Sequence, residues 1–335
     1  MQLSLPLWRP QIADAGPRRV TLPRPAAGGW VVRDEAIMGT AVHVELWAER
    51  RADGEAAVEA VLAEMHRIDR TYSPHKPDSE LSRLNREAAR APFVCSDETY
   101  GLLARALAFA ELSQGAFDIS YAAVGRLYDY RRGIAPDAAQ LEAARALVGW
   151  RGITLDPATR SVRFAREGMC IDLGGFAKGH AVDCAVAALR RRGIRHAYVS
   201  AGGDSRVLGD RRGRPWSVAI RHPRDATRHA AVLPLEDVAV STSGDYERFF
   251  EKGGVRHHHL LDPATGRSPA HVHSVTILAE DGLTSEALSK TVFVLGVERG
   301  LAIVERVPGA DAVVIDAAGR LHFSAGLQPH QVDQR

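Results

Sequence analysis

Cysteine is scarce in this chain. Cys95, Cys170 and Cys184 are the only three among 335 residues, an odd number with no Cys-x-x-Cys spacing. That argues against a disulfide framework and for buried thiols in a reducing compartment. An excess of one charge is also lacking. Forty-three basic residues against 41 acidic ones leave a net +2, which argues against a general electrostatic nucleic-acid binder. No run of about 18 apolar residues exists, so no membrane insertion is expected. The segment from Met1 to Pro10 has only a short apolar stretch before Arg9. It is too short for a signal-peptide core, and no cysteine follows for lipid attachment. A cytoplasmic location is therefore expected. The remainder, 45% hydrophobic and 25% charged, describes a soluble globule of one large domain or two small ones.

Along the chain, residues 1–30 form a Pro-rich extension with five prolines and the pair Gly28-Gly29, ahead of a domain expected over 31–330. Val42 to Leu46 alternates as a half-buried strand does. Val58, Val61, Leu62, Met65 and Ile68 recur at helical spacing, which predicts a helix over about 55–70. A second helix is predicted from Ser96, an N-cap followed by Asp97 and Glu98, to Gly115. Later segments read as strands at Trp216–Ile220, Val238–Ser241, Val272–Ala279 and Ala312–Ile315, with a helix over 283–295. Clustered strands with helices between them predict an α+β fold.

The most informative stretch runs from Cys170 through Gly174-Gly175-Phe176-Ala177-Lys178-Gly179 to Asp183. Glycines and a lysine stand where a strand is expected to hand over to a helix. Glycine lets backbone approach a bulky ligand, and a helix start offers N–H groups and partial positive charge. The spacing is neither GxGxxG nor GxxxxGK[ST]. Two readings stand: a phosphate-holding loop, or a tight junction with a solvated lysine. The helix that follows is expected to end at Arg190-Arg191-Arg192-Gly193. The triplet His257-His258-His259 falls on a predicted strand, where alternation sends 257 and 259 one way and 258 the other, so it is no ready-made metal site. Asp262 to Gly266 reads as a turn capped by Asp262.

In order and interval, Met38-Gly39-Thr40, Ser73, Ser79 to Asn85, Gly115 to Asp118, the Lys178 loop, Ala201 to Asp204, Ser241 to Tyr246 and His259 to Gly266 resemble the FAD:protein FMN transferase (ApbE-like) family. The resemblance implies one αβ domain of two lobes, with mixed sheets and a flavin cleft between them. It implies FAD contacts from Met38, Ser73 and Asn85, with Lys178 and the N–H groups of Gly174 to Gly179 on the pyrophosphate. Asp118, Asp183, Thr242, Ser243 and Gly244 are assigned to the adenosine, and Gly203 and Asp204 to close backbone approach and hydroxyl orientation. Met38 could equally be plain core, and Asp118 and Asp183 a local cap or a surface charge. His259, in a His-x-x-Asp-Pro motif, becomes the candidate general base, with Lys178 as its catalytic partner.

The implied chemistry moves FMN from FAD to a Ser/Thr hydroxyl of an acceptor flavoprotein, releasing AMP. Family members use Mg²⁺ for this, held partly by an Asp and a Thr four residues apart. Counting back from Gly296, those positions here hold Glu286 and Lys290. Ala177 and Glu286 are then the candidate metal ligands, and the Lys290 ammonium, which cannot ligate a cation, is expected to take the ion's place. The departure keeps two further hypotheses open: a flavin-delivery protein with impaired transfer, and a hydrolase splitting FAD to FMN and AMP.

Overall fold

A computed structural model describes residues 28–327 of the chain. Its frame is an eight-stranded sheet of β1 (Gly29–Ile37), β2 (Thr40–Ala48), β3 (Ala197–Ala201), β4 (Asp204–Leu208), β5 (Ala239–Gly244), β6 (Val272–Ala279), β7 (Asp311–Asp316) and β8 (Leu321–Phe323). The strands lie side by side in that chain order. Instead of the mixed sheets expected, every ladder among the described residues is antiparallel. The reason lies in the connections. Two-residue turns at Met38-Gly39 and Gly202-Gly203 join neighbours directly, and each longer excursion re-enters the sheet at the end it left. Of the extension expected over residues 1–30, the part before Gly28 lies outside the described residues, and Gly29 and Trp30 already belong to β1.

One face of the sheet is apolar. Val42, Val44, Leu46 and Ala48 of β2 alternate inward and are buried, each large side chain contributing about 1.5–3 kcal/mol. Of the long helices α1 (Arg51–Tyr72), α2 (Asp97–Leu112), α3 (Ala177–Arg191) and α4 (Gly282–Leu295), α1, α3 and α4 cover that face, and α2 packs against α4. Helix α1 packs on β1 and β2, α3 on β3 and β4, and α4 on β5 and β6, while α3 touches both α1 and α4. The helical spacing read in α1 puts all five of its marker residues in the core. Ser96 caps α2 as predicted, its Oγ accepting from the Thr99 N–H at 3.2 Å. Residues 49–196, inserted between β2 and β3, supply α1, α2 and α3 and also a small sheet of Phe93–Val94, Ser161–Phe164 and Ile153–Asp156.

The strand expected before the glycine loop does not form. Cys170 to Leu173 makes no ladder. Its backbone is held instead by a side chain: Asn85 Oδ1 accepts from the Ile171 N–H at 2.8 Å and Asn85 Nδ2 donates to the Ile171 carbonyl at 2.9 Å. The Asp172 N–H donates to the Ile119 carbonyl at 2.9 Å.

Helices α3 and α4 cross at glycines. A Cβ on Gly179 would lie 2.2 Å from the Gly282 carbonyl oxygen, and one on Gly282 would lie 2.5 Å from that of Gly179. Gly179→Ala must therefore push two backbones apart, and overpacking of this kind costs about 1–3 kcal/mol or more. The expected outcome is a lowered urea midpoint with the slope unchanged. An unaltered midpoint would mean that the crossing is looser than this geometry.

Candidate active site

A cavity of about 550 Å³ opens where the ends of β3, β4 and β5 meet the segment 116–130 and the start of α3. Its walls come from Thr40, the segment Ala116–Ile119, Tyr121 and Tyr130, the loop Asp172–Gly175, the turn Gly202-Gly203, Thr242–Gly244, Arg248 and His259–Leu261. Lys178, Asp204 and Lys290 also line it. Glycine at 203 is required by the close approach of strands: a Cβ there would lie 2.5 Å from the Thr242 carbonyl oxygen.

Lys178 stands in the first turn of α3, at the centre of a charged cluster. Its Nζ donates to Asp204 Oδ2 at 2.6 Å and also to Glu286 Oε1. Glu286 is fully buried, so its charge must be met locally. Its other oxygen accepts from the Gly179 N–H at 2.7 Å, and Lys290 Nζ donates to Oε1 at 3.3 Å. Asp204 Oδ1 accepts from Ser241 Oγ at 2.5 Å. Ser241 continues through Ser289 to Ser243 at 3.1 and 2.9 Å, a buried hydroxyl chain under the cavity. Burial opposes the charge on Lys178, but Asp204 and Glu286 override it and hold the ammonium well above the usual lysine range. Burial also opposes ionisation of Asp204, and the ammoniums of Lys178 and Lys290 override that, keeping its carboxyl low.

His259 sits one residue past the strand Val255–His258. The triplet separates three ways: His257 stacks on Phe250, His258 is buried edge-on to Phe293, and His259 faces the cavity. The His259 N–H donates to the Arg248 carbonyl at 3.1 Å, while ring Nδ1 is buried without a partner. Burial first, then the charges of Lys290 and Arg248, push its pKa down to about 3. The ring is a neutral imidazole across the physiological range.

The structure brings Lys178, Asp118, Gly203, Asp204, Thr242, Ser243, Gly244, His259 and Lys290 to one cavity. Asp118 does so while serving as a cap. Its Oδ1 accepts from the Ser120 N–H and hydroxyl at 2.8 and 2.6 Å, and Oδ2 from the Trp150 N–H at 2.8 Å. Six sequence-predicted residues do not line the cavity: Met38, Ser73, Asn85, Asp183, Ala177 and the fully buried Glu286. Met38 packs partly buried on the core, in the β1–β2 turn with φ +55. Ser73 closes α1, and Asn85 holds the glycine loop from behind. Asp183 turns away from Lys178: it accepts from the N–H groups of Gly282 and Leu283 at 2.9 and 3.2 Å and from Arg206. It thereby caps the first turn of α4. Several loop N–H groups expected on a pyrophosphate are likewise taken, those of Gly174 by Asp172, Phe176 and Ala177 by the Leu173 carbonyl, and Gly179 by Glu286.

Sequence reasoning missed Arg248, Asp172 and the aromatic pair Tyr121 and Tyr130. Asp172 had a signal, since it stands two residues before Gly174 and its Oδ1 accepts that N–H at 2.6 Å. Arg248 lies just past the Ser241–Tyr246 stretch and carries no local pattern; its guanidinium reaches the Gly39 carbonyl at 3.2 Å only through the fold.

Residues 38–314 match the model of the ApbE family. A Treponema pallidum protein named FAD:protein FMN transferase is 37% identical over 315 residues, covering 88% of this chain and 87% of its own length. One from Vibrio cholerae with the same name is 32% identical over 274 residues, covering 79% of this chain and 81% of its own. Among solved structures, the ApbE protein of Thermotoga maritima superposes with a TM-score of 0.82 at 32% identity, over 89% of this chain and 98% of that one. The Vibrio cholerae flavin transferase ApbE gives 0.79 at 28% identity, with the same coverage. With residues 38–314 matching the family model, and the fold and most of its length in common with these proteins, the chain belongs to the ApbE family.

Proposed function

We propose that this chain is an FAD:protein FMN transferase acting from the cavity around Lys178. The observation that carries the reading is one cavity lined by close-approach glycines, cations and a neutral imidazole, in a chain whose relatives bear that name. FAD lies with its pyrophosphate toward Lys178, and Asp118, Thr242, Ser243 and Gly244 border the adenosine. Asn85 acts on FAD at one remove, by fixing the loop that FAD meets.

The acceptor is a flavoprotein presenting a Ser or Thr hydroxyl. Its oxygen bonds to the FMN-side phosphorus as the bond from that phosphorus to the bridging oxygen breaks. AMP departs with the bridging oxygen, and the hydroxyl proton passes to His259 and on to solvent. Positioning and charge stabilisation carry most of such a step. Delivery without transfer and hydrolysis of FAD are the less favoured readings, because the relatives are named for transfer. AMP release should need the acceptor: steady AMP from FAD alone would point to hydrolysis.

The resemblance implies Mg²⁺ at Glu286, Ala177 and the position of Lys290. The residues present do not suit it. Both oxygens of Glu286 already accept from Lys178, Lys290 and Gly179, both of Asp204 from Ser241 and Lys178, and Mg²⁺ requires near-octahedral oxygen ligation.

The low pKa of His259 has a kinetic signature. In the free chain its proton affinity is far below neutral pH, and the anionic pyrophosphate of bound FAD must raise it. The acid limb of kcat should therefore lie at higher pH than that of kcat/KM, which reports the free enzyme. Coincident limbs would remove His259 as the group that titrates.

A further inference from the structure

We propose that the Lys290 ammonium, seated on the buried Glu286 carboxylate, supplies the positive charge that FAD binding would otherwise draw from a divalent cation, so that this chain takes up FAD without a metal. The inference rests on the transferase reading and concerns how its substrate is held.

Three observations carry it. First, Lys290 projects into the cavity from α4, and its Cε would lie 3.5 Å from a Cβ on Gly175, so the stem passes over the glycine loop. Second, its Nζ lies 3.3 Å from Glu286 Oε1, the same oxygen that receives Lys178. One carboxylate therefore anchors two ammonium groups at the cavity floor. Third, Glu286 is fully buried, and with Asp204 it offers four oxygens that all have donors. A cation arriving there would have to displace an ammonium from a shared carboxylate, against the repulsion of both lysines.

The charges on the floor are consistent with this arrangement. Lys178 and Lys290 against Asp204 and Glu286 sum to zero before ligand arrives, so the anionic pyrophosphate meets ammonium groups whose counter-charges lie beneath them. An ammonium has three donors and no fixed coordination geometry. It can serve the pyrophosphate oxygens and Glu286 at the same time, which a hexacoordinate ion with committed ligands does less freely.

Isothermal titration of the full chain with FAD, in EDTA and in millimolar Mg²⁺, tests the idea without relying on turnover. The expected result is affinity equal within about threefold in the two buffers. Lys290→Thr should weaken FAD binding in EDTA by about 10–100-fold, the span of a charge-assisted hydrogen bond, while Lys290→Arg should retain it. The pair Glu286→Asp with Lys290→Thr should bind FAD tightly only when Mg²⁺ is present. If Lys290→Thr does not fold, the wild-type comparison alone decides. FAD binding by the unaltered chain that collapses in EDTA and returns with Mg²⁺ overturns this inference and leaves the transferase reading standing. No FAD binding in either buffer overturns both.

Discussion

Lys178→Ala should lower the melting temperature by about 5 °C as well as weaken FAD binding by about 10–100-fold. Removing one partner of a buried ion pair leaves uncompensated charge behind and costs about 3–5 kcal/mol. Here two carboxylates lose a donor together, since Lys178 bridges Asp204 and the fully buried Glu286. Lys290 and the Gly179 N–H remain on Glu286, so the lower end of that range applies. At a little under about 2 °C per kcal/mol for a folded unit of this size, the shift is readily seen by calorimetry. From the sequence, this lysine is expected to hold the pyrophosphate and assist catalysis, or else to stand in solvent. The structure gives it the second task of neutralising the cavity floor. A variant that melts with the wild type while losing FAD would show that the carboxylates find other partners, and that Lys178 serves only the ligand.

His259→Ala should separate binding from chemistry. The ring is partly buried, its Nδ1 makes no hydrogen bond, and the residue is fixed through its main chain to Arg248. Truncation therefore breaks no side-chain hydrogen bond of the protein with itself. A positioned base contributes about 10²–10⁴-fold, so FMN transfer should fall by that factor while FAD affinity stays within a few fold. Stopped-flow measurement of AMP release beside a binding titration gives both quantities. If affinity and rate fall together, His259 shapes the cavity and is no base.

Local signals in the sequence transferred well where one element decides the outcome. The apolar spacing of Val58 to Ile68, the Ser96 cap and the turn of Asp262, whose Oδ1 accepts from the Ala264 N–H at 2.9 Å, all depend on neighbours within a few residues. Gly203, Asp204 and Thr242 to Gly244 share one cavity because antiparallel strands in chain order bring their ends together. Roles set by partners distant in sequence were illegible. Asp183 lies about 1.4 turns beyond Lys178, yet the N–H groups of Gly282 and Leu283, nearly 100 residues on, capture its carboxylate. The segment before Gly174 looks like a strand because Ile171 and Leu173 alternate inward, and both are buried. Its polar backbone is satisfied by the Asn85 amide rather than by a ladder, and no periodicity reports that. Glu286 and Lys290 look like an i,i+4 surface pair, worth a few tenths of a kcal/mol. Only the crossing of α3 over α4 buries Glu286 and adds Lys178 to it.

The central claim is that a hydroxyl on another protein receives FMN from FAD held in this cavity. It is tested most directly by intact mass spectrometry of a flavoprotein acceptor after incubation with the chain and FAD. The account predicts that an acceptor with a Ser or Thr at the modified position gains the mass of one phosphodiester-linked FMN, with one AMP released per acceptor, and that the same acceptor with Ala there gains nothing. An unmodified acceptor alongside free FMN and AMP would contradict it.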